Sequence, residues 1–356
     1  LSIGTNMSNV HTIIEQPPAG VYPTNATEKA RLYNLAQVQI LVSNTSVTLK
    51  IQAAPSAGEV PGSDSSPTLK TFTNLTAISA TTNLPFLTLT NTFTDQRENK
   101  TALVADVDVA KYKLWIATNT WVTGKTLAPT ILFVANNRTN TATQMPAVRL
   151  KNGQDLPSNG SLGFTVATPN PLYVQGHYNQ PTAGYLGTTN TSTTVPAAIM
   201  SDALTILSSS WVDSTGAGTY TTRDAADTTI NAAILTGVMP STGTGNTQFS
   251  GGVHNLPRLL EDWQNTSGSP AQRQLTLNTS ILNLFTSKVA TNQFRNPGNF
   301  GLANSPYYDP PKRQFSYDIN FKEYAKTPPG IPAALVLIRK DWAMPPPNKV
   351  NYYASP

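Results

Sequence analysis

The residues of this chain that could do chemistry are three histidines and a scattered set of acids, because cysteine is absent. The histidines, His11, His177 and His254, lie far apart, and no His-x-x-x-His spacing places two ligands on one helix face. Without cysteine there are no disulfides, no thiolate catalysis and no Cys-based metal site. His177 and His254 lie near glycines at predicted corners, so we interpret them as turn residues. We predict no metal site and no cofactor.

Paired carboxylates could serve glycoside hydrolysis, which needs two acids within about 5–10 Å of each other. Glu261 and Asp262 are adjacent in sequence, and adjacent residues of a helix point about 100° apart. We therefore predict that they form a solvated pair at a helix end. Asp202, Asp224 and Asp227 are better candidates if a groove exists, since parallel solenoids often carry carbohydrate sites along one face.

A second acidic pair, Asp106 and Asp108, lies two residues apart, so on a strand both side chains point to the same face. Carboxylates placed in this way could hold Ca²⁺ together with backbone oxygens. No glycine-bearing ligand loop accompanies them, which favours an ordinary polar strand face. The chain also has no Gly-x-Ser-x-Gly elbow and no phosphate-binding loop. We predict that the protein is not an enzyme and has no catalytic residues.

The composition indicates a β protein of an extracellular environment. Charged residues make up 12% of the chain, against about 25% in ordinary domains. Solubility must therefore come from Thr, Asn and Ser, which suit strands and turns. The net charge is +5, but the basic residues are scattered, which is not typical of nucleic-acid binding. No apolar run reaches the roughly 18 residues of a membrane span, so we predict no nucleic acid and no membrane among the partners.

The elements of the first part of the chain follow from local patterns. Residues 1–24 contain several prolines and are predicted to form an extended arm. Two alternating segments, 38–43 and 46–52, predict a β-hairpin. Helical segments are predicted at 26–35 and 111–118. The nearly continuous apolar run at 129–135 is typical of a buried strand.

The second part of the chain consists of short apolar runs that end in Gly, Asn or Asp. Their spacing is irregular, which favours stacked parallel rungs with loops of variable length. We predict a mainly β fold, with an irregular parallel β-helix or solenoid in the C-terminal half and a smaller β-rich N-terminal unit. A β-sandwich is the alternative. The predicted divisions are an arm at 1–24, a β-rich unit at 25–145, a solenoid-like domain at 146–300 and an extended Pro/aromatic tail at 301–356.

Three segments of this part have patterns that bear on their secondary structure. Leu256–Trp263 has apolar residues at i, i+3, i+4 and i+7, which predicts a short helix. Ser201–Leu207 fits either a helix or a strand. The aromatic tail is predicted to lie along the main body, with one strand at 333–339.

Several sequence blocks resemble a known family. They are 93–100 (FTDQRENK), 106–109 (DVDV), 171–179 (PLYVQGHYN), 196–203 (PAAIMSDA), 231–237 (NAAILTG), 251–263 (GGVHNLPRLLEDW) and 308–311 (YDPP). In this order they are similar to the C-terminal region of large PilX-like proteins, which are pilus-assembly-associated proteins of bacteria such as Verrucomicrobia and Planctomycetes. The resemblance spans about residues 90–345. It implies a cell-surface or pilus-related role and provides no catalytic residues.

We therefore expect a secreted or cell-surface structural protein that acts through assembly, as a homo-oligomer or filament, or through adhesion. The alternatives are a polysaccharide-active enzyme and a carbohydrate-binding module, either of which would have cell-surface polysaccharide as its partner. Exposed aromatic residues could form a sugar platform or a subunit contact. About ten Asn-x-Ser/Thr sequons occur, and a bacterial source would leave them unglycosylated by default. They include Asn25, Asn44, Asn74, Asn137, Asn159, Asn190, Asn265 and Asn278.

Overall fold

The computed structural model describes most of the chain outside its two ends. The described residues are 10–19, 26–54, 62, 64–79, 83–125, 129–158, 162–243, 250, 256–266, 271–294 and 307–331. The predicted strand at 333–339 and His254 lie outside the described residues, as do most of the predicted arm and part of the tail.

The described helices are short. They are α1 (Ala26–Ala30), α2 (Leu32–Leu35), α3 (Val109–Thr118) and α4 (Thr120–Thr123). Both predicted helical segments are confirmed, the first of them as two separate turns. Helix α3 begins where it does because the Asp108 side chain accepts a hydrogen bond from the amide of Lys111, which satisfies one of the free N–H groups of the first turn.

Strands account for most of the regular structure. They are β1 (Val38–Val42), β2 (Val47–Ile51), β3 (Thr68–Phe72), β4 (Leu87–Thr88), β5 (Thr92–Asp95), β6 (Lys100–Asp108), β7 (Ile131–Asn136), β8 (Gln144–Lys151), β9 (Phe164–Ala167), β10 (Pro171–Gln175), β11 (Ala197–Ser201), β12 (Ala203–Leu207), β13 (Thr228–Thr236), β14 (Arg258–Leu259), β15 (Gln274–Leu282) and β16 (Lys312–Ser316). The predicted hairpin is confirmed, since β1 and β2 pair antiparallel.

The strands form two open sheets of mixed direction. The nine-stranded sheet has the order β16-β15-β13-β11-β9-β7-β1-β2-β3, and the seven-stranded sheet has the order β14-β12-β10-β8-β6-β4, with β5 paired to β6. From β6 to β15, successive strands alternate between the two sheets. All pairs among these strands are parallel. The mainly β class is therefore confirmed.

The apolar side chains are divided between the two faces of each strand. Along β7, Leu132 and Val134 belong to the main core, whereas Phe133 and Ala135 belong to a second cluster together with Leu32 of α2. A third cluster lies on the seven-stranded sheet and includes Tyr173 of β10. Because both faces of these strands are covered, their sequences are almost continuously apolar.

The structure corrects one predicted segment and assigns another for which the sequence left two states open. The helix predicted at Leu256–Trp263 is wrong, because this segment contains β14, which pairs with β12. Leu260, Glu261, Asp262 and Trp263 are all buried, so the helical spacing of its apolar residues does not mark one buried face. Ser201–Leu207, which fitted either state, holds the end of β11 and all of β12.

The sheets also cross the predicted divisions of the chain. Strands β6 and β7, which precede residue 145, pair with β8 and β9, most or all of which follow it. Within the predicted tail, β16 joins the nine-stranded sheet as an edge strand beside β15. Short 3-10 turns follow it at Ile319–Lys322 and Tyr324–Lys326.

Candidate functional site

Asp202 is the only residue between β11 and β12, and its carboxylate is fully buried. It accepts hydrogen bonds from the amides of Lys288, Val289 (3.1 Å) and Ala290 (2.9 Å). The corner is closely packed around it, because a Cβ at Gly237 would lie 2.6 Å from the Asp202 carbonyl oxygen. Asp202 therefore holds the 288–290 segment against the corner and does not face a groove.

His11 joins the same cluster from the beginning of the chain. Its Nε2 lies 3.0 Å from Asp202 Oδ1, and its Nδ1 lies 2.7 Å from Glu15 Oε1. Lys288 Nζ donates to the same Glu15 oxygen at 2.5 Å. Burial by itself raises the pKa of Glu15, but the hydrogen bonds from Lys288 and His11 outweigh it and lower that pKa. The cluster ties the 10–19 segment to the sheet corner.

Asp224 and Asp227 lie far from Asp202. Ser201 pairs with Thr236 at the end of β13, whereas Asp227 precedes its first residue, Thr228. The nine residues of β13 rise about 3.3 Å each, which separates the two ends by roughly 25 Å. Asp227 accepts a hydrogen bond from the amide of Gln274 at 2.7 Å. The three acids predicted as groove candidates therefore do not share one groove.

Glu261 and Asp262 are also placed differently from the prediction, because neither is solvated and neither is on a helix. Glu261 accepts hydrogen bonds from the amide and the hydroxyl of Ser208, both at 2.6 Å. Burial raises the pKa of Glu261 to about 7, against the lowering effect of these bonds. Asp262 accepts from the amides of Gln264 (2.8 Å) and Thr266 (2.7 Å). Both acids organise local backbone.

Asp106 and Asp108 share β6 but have separate roles. Asp106 forms a buried two-point ion pair with Arg149, at 2.6 and 2.8 Å, and Arg149 also reaches Asp213. Asp108 caps α3 and accepts from Asn152. In the described part of the chain, no group of three or more His, Asp or Glu side chains could hold a metal ion.

The remaining candidate among the described residues, His177, contacts the backbone. His177 accepts the amide hydrogen of Thr229 at its Nδ1, at 3.1 Å. Burial lowers the pKa of His177, while the nearby charge of Asp227 raises it. This ring serves as a neutral acceptor at a corner, as predicted for a turn residue.

Of the sequons, Asn278 is buried in a ladder of amides. Its Nδ2 donates to Asn231 Oδ1 at 2.7 Å, and Asn231 Nδ2 donates to the carbonyl of Asn179 at 2.9 Å. Asn265 is also buried. Asn44, Asn74 and Asn137 are exposed, Asn190 is half-buried, and Asn25 and Asn159 lie outside the described residues.

A cavity of about 290 Å³ opens between the 191–196 loop and the turns that follow β16. Asn320 closes one wall, because its Nδ2 donates to the carbonyl and the hydroxyl of Thr191 at 3.0 and 3.1 Å. Asp318 lines the cavity and is only 3% exposed. The sequence predicts an aromatic tail in this segment but does not single out Asp318. A single acid between Tyr317 and Phe321 was the available signal.

Asp318 differs from the other buried acids in how its carboxylate is used. Both hydrogen bonds that described residues donate to it, from Thr191 Oγ1 (2.8 Å) and the Asn320 amide (3.0 Å), arrive at Oδ1. Its Oδ2 receives none from the described residues. Burial raises the pKa of Asp318, and the two hydrogen bonds and the Lys326 charge oppose that effect in part. The cavity is therefore lined by a carboxylate whose second oxygen can still accept a hydrogen bond.

Among the described residues, no helix has both the length and the apolar character needed to cross a bilayer. No known protein family matches this chain, and no curated protein or solved structure is significantly similar to it. The PilX-like resemblance remains a prediction, and the cavity at Asp318 is the candidate site that rests on the structure.

Proposed function

We propose that this chain is a secreted or cell-surface structural protein of a bacterium, and that it acts mainly through adhesion. Its scaffold is proposed to be an irregular parallel solenoid of two facing sheets. The observation that carries the proposal is the alternation of successive strands from β6 to β15 between two parallel sheets. This arrangement makes a stiff body whose outer surfaces are available to partners.

The spacing of the strands supports the solenoid over the sandwich alternative. Asn136 and Asn170, which bond across one corner, are 34 residues apart, whereas the paired Asn231 and Asn278 are 47 apart. Loops of different length therefore leave an otherwise regular stack. Greek-key sandwiches are built from antiparallel strands, and these strands pair in parallel.

The placement of the acids favours a structural role over the polysaccharide-active enzyme. A glycosidase needs two carboxylates facing one substrate within about 5–10 Å of each other. Asp202 and Asp227 lie at opposite ends of β13, and Glu261 is hydrogen-bonded to Ser208. These acids stabilise corners and loops, which leaves them poorly placed for general acid–base chemistry.

The outer edges of the nine-stranded sheet favour adhesion over assembly by strand pairing. The edge strand β3 exposes Lys70, and β16 exposes Lys312 and Arg313. Basic side chains on an edge strand oppose pairing with another chain. Two copies that met β16 to β3 would bring like charges together.

Electron microscopy and sedimentation of the purified full chain, at low and high salt, test this proposal. We expect dispersed particles that are retained on surface polysaccharide without cleaving it. The double variant Lys312→Glu/Arg313→Glu is expected to increase self-association, and Lys29→Glu on α1 is the matched control. Ordered polymers of the unaltered chain would instead assign the function to assembly, and release of sugar would assign it to catalysis.

A further inference from the structure

The cavity at Asp318 has the features of a binding site. Its volume of about 290 Å³ is near the lower end of ligand pockets, which are roughly 300–1,000 Å³. Its two walls come from segments more than a hundred residues apart, and the bonds from Asn320 to Thr191 hold them together. Asn320 is itself fixed, because Lys326 Nζ donates to its Oδ1 at 3.3 Å. The cavity is therefore formed by positioned side chains.

The polar groups of the cavity select the type of ligand atom. Both hydrogen bonds that described residues donate to Asp318 arrive at Oδ1, so Oδ2 is the carboxylate oxygen with capacity to accept a bond from a ligand. A ligand hydroxyl or amine in the cavity would supply the donor. At the rim, Glu323 and Lys326 form an exposed ion pair at 3.1 Å. With Asp318 ionised, these three groups carry a net negative charge, which disfavours acidic ligands.

The apolar groups narrow the ligand further. Val195, Pro196 and Ala325 line the cavity beside the polar groups. Phe321 also lines the cavity, whereas the exposed rings of Tyr317 and Tyr324 are not among its lining residues. The lining therefore combines an apolar surface with a carboxylate acceptor. Pyranose rings have the matching surface, with hydroxyl groups at the edge and C–H groups on the face.

We propose that this cavity binds a neutral pyranose unit of a polysaccharide. Asp318 Oδ2 accepts hydrogen bonds from the sugar hydroxyls, and the side formed by Val195 and Pro196 takes the C–H face. The proposal rests on the adhesive function and names its ligand class. It requires no catalysis, because the bond between the sugar units is not attacked.

Saturation-transfer NMR and calorimetry with a panel of neutral methyl hexopyranosides test the site in the full chain. The variant Asp318→Asn keeps an oxygen for the bonds from Thr191 and Asn320 but replaces the free acceptor with a donor. It is expected to weaken binding about tenfold to a hundredfold, the usual worth of a hydrogen bond to a charged group.

Two matched controls separate the site from general surface effects. Asp227→Asn changes an acid outside the cavity, and Phe315→Ala removes a half-exposed ring of β16. Both are expected to bind as the unaltered chain does. Circular dichroism and thermal unfolding of each variant establish that it is folded before its binding is compared.

The outcomes distinguish this inference from the adhesive function. Retention of both the unaltered chain and Asp318→Asn on polysaccharide, with equal strength, overturns the cavity site and leaves adhesion standing. Failure of the unaltered chain to be retained on any polysaccharide overturns both. Binding of cadaverine in place of every hexopyranoside overturns the saccharide assignment, because the acids would then recognise an amine.

Discussion

The corner at Asp202 and the cavity at Asp318 each contain a buried carboxylate, and their surroundings differ in one respect. Asp202 is met by three backbone amides and by His11, which occupy both of its oxygens. Asp318 receives two hydrogen bonds, both at Oδ1. Hydrogen bonds within the fold take up the acceptor capacity of Asp202. Asp318 is also held in place by such bonds, but its second oxygen can still accept a hydrogen bond from a ligand.

This difference separates acids that stabilise the protein from acids that are available to a ligand. Burial alone does not separate them, since both side chains are almost inaccessible to solvent. The number and direction of the hydrogen-bond donors do separate the two acids, because a carboxylate whose acceptor sites are all used cannot bind a further partner. The predictions below test that criterion, from the largest expected effect to the smallest.

The largest effect is expected for Asp202→Ala. Removing the carboxylate leaves three amides and His11 buried without an acceptor, and breaking a buried charged network costs about 3–5 kcal/mol. The free energy of unfolding in urea is the measurement. Asp227→Ala, which loses one bond from Gln274, is the control and is expected to cost about 1 kcal/mol. Equal losses of unfolding free energy in Asp202→Ala and Asp227→Ala would contradict the special structural role of Asp202.

Glu261 provides a pH-dependent test. Its pKa of about 7 in the fold lies above its unfolded value of roughly 4.3, so the folded state takes up the proton first. The contribution of this proton to the free energy of unfolding is complete below about pH 4 and is lost as the pH rises towards 7. The loss is on the order of 3 kcal/mol. Glu261→Gln is expected to remove this slope, measured as the urea midpoint between pH 4 and 8. If the urea midpoint of Glu261→Gln depended on pH as that of the unaltered chain does, the raised pKa of Glu261 would be contradicted.

The amide ladder should respond less strongly than the Asp202 corner. Asn231→Ala removes the bond to the Asn179 carbonyl and one of the two bonds that the Asn278 amide donates, at a cost of about 2 kcal/mol. Thermal unfolding measures it, with the exposed Asn74→Ala as the control that should unfold like the unaltered chain. A loss of thermal stability in Asn74→Ala as large as that in Asn231→Ala would contradict the structural role of the ladder.

The smallest change in stability is expected for Asp318→Asn. The asparagine oxygen can still accept from Thr191 and Asn320, so the free energy of unfolding should stay within about 1 kcal/mol. Its effect should appear in sugar binding instead. A destabilisation as large as that of Asp202→Ala would place Asp318 among the structural acids.

The sequence predicted the strands well where local pattern decides them. The apolar run at 129–135 and the alternation on both sides of Asn44 each reflect burial that the strand itself undergoes. The helix predicted at Leu256–Trp263 failed because contacts on all sides, and not one face, bury that segment. Periodicity cannot distinguish these two cases.

The roles of single acids could not be predicted, because they depend on distant partners. Asp202 contacts His11, 191 residues away in sequence, and Asp318 contacts Thr191, 127 residues away. No local spacing encodes such a pair. The acids that were noticeable in sequence, Glu261 and Asp262, were noticeable only because they are adjacent.

The pairing of β13 with β15 has a mechanical consequence. Thr228 lies beside Leu275 in the same register as Asn231 and Asn278, which are 47 residues apart. A load that separates β15 from β13 and also β14 from β12 would release that length of chain, roughly 150 Å when extended. Repeated along the stack, such releases would let a tethered molecule lengthen stepwise and absorb the work of a passing flow without detaching.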